Sequence, residues 1–148
     1  MLRVQLICTG RLKEPFYIQA CGEYDKRLRR YCALECTELP ETGDPVRDGE
    51  AMLKKIPQDA YVIAMCIEGR GVSSQELAEL MADCANRGRS RVCFLIGGSD
   101  GLSDRVKARS DERISMSRMT FPHHLARVMV LEQIYRAFSI NEGGKYHK

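Results

Sequence analysis

The residues best suited to chemistry sit late in the chain. Phe94-Leu95-Ile96 runs directly into Gly97-Gly98-Ser99-Asp100-Gly101, a glycine-rich turn behind an apolar segment. At the carboxyl end of a buried strand in an open α/β sheet, loops diverge and backbone amides become free to meet a ligand. Paired glycines allow a ligand to approach the backbone closely, and they serve an ordinary tight turn equally well. The motif is not GxGxxG, it follows a late strand and not the first, and no Lys-Ser/Thr pair closes it. Dinucleotide and nucleoside triphosphate binding are therefore disfavoured.

A second stretch, Met116-Ser117-Arg118-Met119-Thr120-Phe121-Pro122-His123-His124, passes from uncharged to basic, and its proline suits the first turn of a following helix. All three histidines fall in the last 26 residues, the third being His147 in the terminal Tyr146-His147-Lys148. A lone histidine more often caps or solvates than catalyses. Before it, Asn141-Glu142-Gly143-Gly144-Lys145 is polar and glycine-rich, so the tail is expected to be mobile unless something holds it. An aromatic, an imidazole and an amine at its end are equipped to stack on and hydrogen-bond a nucleobase, a plain terminus being the alternative. Seven cysteines (Cys8, Cys21, Cys32, Cys36, Cys66, Cys84, Cys93) show no CxxC spacing and lie mostly in apolar patterns. They read as reduced, mostly buried thiols, with neither a zinc site nor a disulfide framework implied.

These groups need a scaffold, and 148 residues suffice for one compact domain. At 44% hydrophobic and 29% charged the chain falls in the globular range. Its charge-free runs, Tyr61 to Ile67 among them, are too short to span a membrane, which needs about 20 residues. A cytoplasmic protein is expected, and its net charge of +3 permits an RNA partner without requiring one. Leu2 to Cys8 alternates as a strand does; Glu14 to Tyr31 carries apolar residues at steps of four and three, the stripe of a helix whose other side holds Lys26, Arg27, Arg29 and Arg30. That cluster is either a solvated face or a phosphate contact. Ala33 to Leu39 suits a strand, Pro40 to Pro45 a polar loop, and about Asp48 to Lys55 a short helix. Tyr61 to Ile67 and Arg91 to Ile96 are apolar without alternation, as strands covered on both faces are. Gly69-Arg70-Gly71 breaks the first of these, and Ser73-Ser74-Gln75-Glu76 then forms a capping box for a helix that stops at Gly88. A short helix over Ser103 to Ser110, a strand over Arg113 to Ser117 and a long helix over His124 to Ser139 complete an α/β domain with a mainly parallel sheet. The last helix is apolar over a wide band, which suits a homodimer interface or a helix sandwiched inside the monomer.

Taken together, CIEGRG at Cys66 to Gly71, FLIGGSDGL at Phe94 to Leu102, SRMTFPHHLARVMVLEQIYRAF at Ser117 to Phe138 and the closing YHK closely resemble the ribosomal RNA large-subunit methyltransferase H family, small SPOUT-class enzymes. The resemblance spans essentially the whole chain as a single SPOUT domain, residues 1–148. It implies a sheet with a C-terminal trefoil knot, an exception to the usual absence of knots. It further implies transfer of a methyl group from S-adenosylmethionine to N3 of a pseudouridine in 23S rRNA on the assembled ribosome, by a homodimer, with no metal, membrane or DNA partner. By the same resemblance Met65, Gly97 and the run Met116, Ser117, Arg118, Met119, Thr120 and Phe121 would hold the cofactor, largely through backbone groups. Tyr146 and His147 would recognise the pseudouridine and accept its proton from the neighbouring copy's tail. His123 and Arg127 would orient the loop, the RNA or the interface. The family varies at Ser99-Asp100 and at the second histidine of the pair, so the resemblance gives Asp100 and His124 no fixed role. The alternatives are an RNA-binding module of the same fold without catalysis, and a SPOUT enzyme acting on another RNA such as tRNA.

Overall fold

The computed structural model describes residues 1–148. Apolar strands and amphipathic helices alternate as β1 (Arg3–Thr9), α1 (Pro15–Leu28), β2 (Ala33–Leu39), α2 (Pro45–Leu53), β3 (Tyr61–Gly71), α3 (Ser74–Asn86), β4 (Arg91–Ile96), α4 (Asp104–Arg109), β5 (Glu112–Ser115) and α5 (His123–Asn141). The five strands make one sheet in the order β2-β1-β4-β3-β5, and every pairing is parallel. Parallel neighbours cannot be joined by a tight turn, so each crossover carries a helix over one face of the sheet.

Side chains of successive strand residues go to opposite cores. Val4, Leu6 and Cys8 of β1, Ile63 of β3 and Val92, Phe94 and Ile96 of β4 pack beneath α1, α3 and α5, against Leu28, Met81, Leu131 and Ile134. Ile7, Val62, Ala64, Cys93 and Leu95 face the other way, beneath Met52 of α2 and Val106 of α4. Each large side chain so buried contributes about 1.5–3 kcal/mol relative to exposure, which fixes the strand ends firmly. Burial on both sides is why β3 and β4 read as unbroken apolar runs.

Several boundaries differ from the sequence reading. Helix α2 begins at Pro45 and not near Asp48, because the Asp44 side chain accepts from the Val46 and Arg47 amides at 3.0 and 3.4 Å and Pro45 takes the first helical turn. Asp48 lies inside that helix, buried, and accepts from the Thr42 amide and hydroxyl at 3.1 and 2.6 Å. Strand β3 runs on through Gly71 because Arg70 and Gly71 return to β5: Met65 and Arg70 both pair with Ile114, and the residues between them bulge outward. A Cβ at Gly69 would stand 2.5 Å from the Ile114 backbone, so only glycine fits there. Strand β5 ends at Ser115, two residues short of the expected limit, and α5 extends at both ends, from His123 to Asn141. No helix is long and apolar enough to cross a membrane. All seven cysteines are free; Cys8, Cys32, Cys84 and Cys93 are buried, and burial pushes the Cys8 and Cys93 thiols up to about 12. Cys36, on the exposed edge strand β2, is the exception to the buried pattern.

Candidate functional site

The carboxyl ends of β3, β4 and β5 open onto a cleft of about 700 Å³, within the range of small-molecule sites. Three segments line it, around Met65, Gly97 and Met116, and the start of α5 closes the far side. Of the residues expected to hold a cofactor, Met65, Gly97, Met116, Ser117, Met119, Thr120 and Phe121 are brought together here. Arg118 is not among the lining residues and its side chain is exposed.

The glycine-rich loop is a turn in which the Gly101 amide donates to the Gly98 carbonyl at 3.0 Å, with Gly101 at φ +79. That left-handed conformation favours glycine. A Cβ at Gly97 would lie 2.5 Å from the Gly101 carbonyl carbon, so position 97 is glycine because the turn closes on itself, the tight-turn reading of the two that the paired glycines left open. Gly98 is crowded from outside the turn: a Cβ there would meet Glu41 Oε2 at 2.4 Å. Glu41 accepts from the Ser99 hydroxyl at 2.7 Å and the Ser99 amide at 2.9 Å, and these bonds hold its carboxyl below the ordinary range. Asp100 is exposed beside it. In the third segment the Ser115 hydroxyl donates to the Ser117 carbonyl at 2.9 Å and the Met119 amide donates to the Ser117 hydroxyl at 3.0 Å, a local side-chain turn that shapes the loop without neighbouring elements. Met119 and Ile67 stand exposed at the lips of the cleft.

At the amino end of α5, Arg127 is buried, donates from Nη2 to the Gly10 carbonyl at 2.9 Å and pairs with Glu38, which also accepts from the Leu12 amide at 2.9 Å. Arg127 thus clamps α5 to the ends of β1 and β2 and presents no free charge to RNA. His123 lines the cleft with Nε2 at 3.8 Å from Glu41 Oε1, and the His124 ring packs edge-on at 4.2 Å between centroids. Burial, reinforced by His124, pushes His123 below its ordinary 6.5 against the pull of Glu41, so the ring is neutral at pH 7. His124 faces Glu14, 3.5 Å away, outside the cleft lining.

The tail is held and not free. The Gly144 amide donates to the Ser139 carbonyl at 2.8 Å, turning the chain back along α5. Tyr146 packs edge-on against Tyr135 at 4.8 Å, lies under the Arg136 guanidinium at 4.6 Å and donates its hydroxyl to Glu132 at 2.8 Å. Burial and the Glu132 bond raise the Tyr146 phenol to about 12, which keeps it protonated near neutrality. His147 sits between Arg136 Nη1, 3.1 Å from Nδ1, and the Gln75 amide, 2.9 Å from Nε2. Arg136 can only donate, so in a neutral ring Nδ1 accepts, Nε2 carries the proton, and the Gln75 oxygen must face it. Ala126 at the cleft and Arg136 at the tail are ten residues apart on α5, about 15 Å along the axis. Tyr146 and His147 do not join the cleft of their own chain. A smaller cavity of about 290 Å³ between α3 and α5 shares Met65, Ser115 and Met116 with the cleft.

The basic stretch of α1 is partly neutralised: Arg27 pairs with Glu23 at 3.2 Å and Arg29 with Asp25 at 2.9 Å, one helical turn back. Sequence reasoning missed Glu38, Glu41 and Glu132, which hold Arg127, the glycine turn and the tail respectively. Isolated carboxylates far from their partners in sequence carry no local signal.

A family model described as predicted SPOUT methyltransferase matches residues 2–147. Two full-length relatives, both named ribosomal RNA large subunit methyltransferase H, come from Clostridioides difficile (strain 630), 45% identical, and Bacillus pumilus (strain SAFR-032), 44% identical. Each alignment covers 99% of this chain and 100% of the relative. A solved structure of a probable methylase family protein from Haemophilus influenzae Rd KW20 superposes with a TM-score of 0.56 at 14% identity, over 99% of this chain and 70% of that one, and shares the fold.

Proposed function

Because this chain belongs to the SPOUT methyltransferase family, we propose that it transfers the methyl group of S-adenosylmethionine to N3 of a pseudouridine in 23S rRNA of the ribosome, working as a homodimer. The observation that carries the reading is the cleft, which two loops distant in sequence, Gly97–Leu102 and Ser115–Pro122, build together at the strand ends. Supporting it, the relatives that match the whole chain are named as methyltransferases of large-subunit ribosomal RNA. The residues suit the cofactor. Met65, Met116, Met119 and Phe121 offer polarisable apolar contact for an adenine face, while the glycine turn and the Ser117–Thr120 segment offer backbone groups for its polar edge. Arg118 takes part through its backbone, its side chain being exposed. The trefoil knot of the family is part of the same proposal, and it rests on family membership.

When bound, S-adenosylmethionine supplies a sulfonium methyl, the electrophile of the reaction. The chain then has two tasks: to hold N3 in line with that methyl, and to take the N3 proton as the new N–C bond forms and the C–S bond breaks. The cleft walls perform the first. For the second, His147 is assigned as acceptor through Nδ1, which must first give up its Arg136 bond, and Tyr146 as a stacking and hydrogen-bonding contact to the base. The tail lies about 15 Å from its own cleft along α5, so this assignment calls on the partner's tail. Half-buried Leu125, Val128 and Met129 on α5 provide apolar surface for the pairing. Neutral His123 closes the cleft wall, and buried Arg127 fixes the helix beneath it.

Incubating the protein with S-adenosylmethionine and ribosomes that lack the modification, then digesting the RNA for mass spectrometry, tests the reading. The expected product is 3-methylpseudouridine. Its absence with donor binding intact by calorimetry would direct attention to another RNA such as tRNA, and absence of both would leave an RNA-binding module without catalysis.

A further inference from the structure

Glu41 belongs to the loop between β2 and α2 and does not line the cleft, yet its carboxylate reaches two parts that do, the glycine turn and the first residue of α5. Oε2 accepts from the amide and hydroxyl of Ser99 at the tip of the glycine turn, while Oε1 stands 3.8 Å from His123 Nε2, directly after the 116–122 segment. Gly98 has no room for a side chain because Glu41 occupies that space, and the Cβ of a residue at Gly10, where φ is +99, would lie 3.4 Å from Oε1. Gly98 is thus committed to seating the carboxylate, while Gly10, held to glycine by its φ, borders it at ordinary contact distance. Leu102 buries the turn's end in the core, but beyond the Gly98–Gly101 pairing the tip is exposed and its side-chain hydrogen bonds go to Glu41; a hydrogen bond to a charged acceptor is about twice as strong as a neutral one.

We propose that Glu41 is a positioning residue for donor binding, a brace that fixes the Gly97–Leu102 turn against the amino end of α5 and so sets the width of the cleft. The inference rests on the reading of that cleft as the S-adenosylmethionine site. In this role Glu41 moves no proton and meets no substrate; it acts through Ser99, whose backbone amide it orients, and through His123. His123 is neutral near pH 7 and its other neighbours are His124, Arg127 and Glu14, so the contact with Glu41 there is that of a carboxylate with a neutral ring.

The test compares Glu41→Ala, Glu41→Gln and Ser99→Ala with the wild type by amide hydrogen exchange on the free protein, calorimetric titration with S-adenosylmethionine and thermal unfolding. In Glu41→Ala, exchange over residues 97–102 is expected to accelerate about tenfold and the donor dissociation constant to rise about tenfold, the size of effect expected for lost hydrogen bonds to a charged group. Glu41→Gln, which keeps an acceptor oxygen, should recover most of both effects. Ser99→Ala, which removes only the hydroxyl donor, should loosen the same residues more mildly and remains readable should Glu41→Ala fail to fold. Unchanged exchange over 97–102 in Glu41→Ala would overturn the brace. Accelerated exchange with unchanged donor affinity would overturn its role in binding, and so would Glu41→Gln behaving as badly as Glu41→Ala. A wild type that binds no donor would refute the methyltransferase reading and the donor half of this inference, while exchange in the free protein would still judge the brace.

Discussion

The two ends of α5 solve different problems with the same residue types. At the amino end Arg127 is buried, its partners are a backbone carbonyl and Glu38, and it holds the helix to two strand ends. At the carboxyl end Arg136 lies partly exposed, stacks on Tyr146 and shares Glu132 and His147 with the tail. The first arrangement cannot open without uncovering a charge; the second can trade each contact for water. A cofactor site built on backbone gains from the first kind of support, and a segment that must meet a large substrate gains from the second.

The sharpest way to break the comparison is at Arg127. Arg127→Ala leaves Glu38 and the Gly10 carbonyl without their partner and should cost about 3 kcal/mol or more in urea unfolding, whereas Arg136→Ala should cost less than about 1 kcal/mol. Equal losses would show that the ends do not differ. Next in size, His147→Ala should lower turnover on ribosomes about 100-fold at saturating substrate while unfolding stays within about 0.5 kcal/mol of wild type. Unchanged turnover would remove His147 as proton acceptor. Gly97→Ala should weaken donor binding about tenfold, because the turn must shift to relieve a 2.5 Å approach to Gly101, with the tail's exchange rates unaffected. The smallest effect is a separation by pH. His123 is pushed below its ordinary 6.5, so the folded state resists charging it, and stability at the amino end declines as pH falls below 6.5 toward the lower folded value. Burial raises Glu132, but the Arg136 and Tyr146 bonds outweigh it and hold the carboxyl below 4.5; the Glu132 contact with the tail is therefore complete above 4.5 and lost only as pH falls through the lower folded value. Hydrogen exchange between pH 6.5 and 4.5 should accelerate around His123 before residues 144–148.

Strand and helix order was legible because periodicity reports burial on one or two faces, and the runs at Tyr61 and Arg91 behaved as covered strands do. The start of α2 was also written in the sequence, as the Asp44-Pro45 pair, but the neighbouring turn residues from Pro40 to Gly43 masked it. The return of Arg70 and Gly71 to β5 was not legible, since Glu68-Gly69-Arg70-Gly71 is polar and glycine-rich like any loop, and only Ile114, more than forty residues later, gives it a partner. For the site, motif resemblance brought out the cleft residues, which sit in contiguous loops. Glu38, Glu41 and Glu132 escaped because a carboxylate's partner is set by the packed fold and not by its neighbours in the chain. The tail was read as mobile for a related reason: nothing within Asn141 to Lys145 announces the Glu132 and Arg136 docking site on α5.

The placement of β5 and α5 also bears on how the protein is made. Ile114 sits between two points of β3, and Val130, Leu131, Ile134 and Ala137 of α5 close the core beneath β1 and β4. Until these last segments leave the synthesising ribosome, Val4, Leu6, Val92 and Phe94 are covered only in part, by Leu28 of α1 and Met81 of α3, and the α5 side of their core stays open. A nascent chain arrested before Glu112 should therefore be proteolysed readily, with resistance arriving only when α5 has emerged.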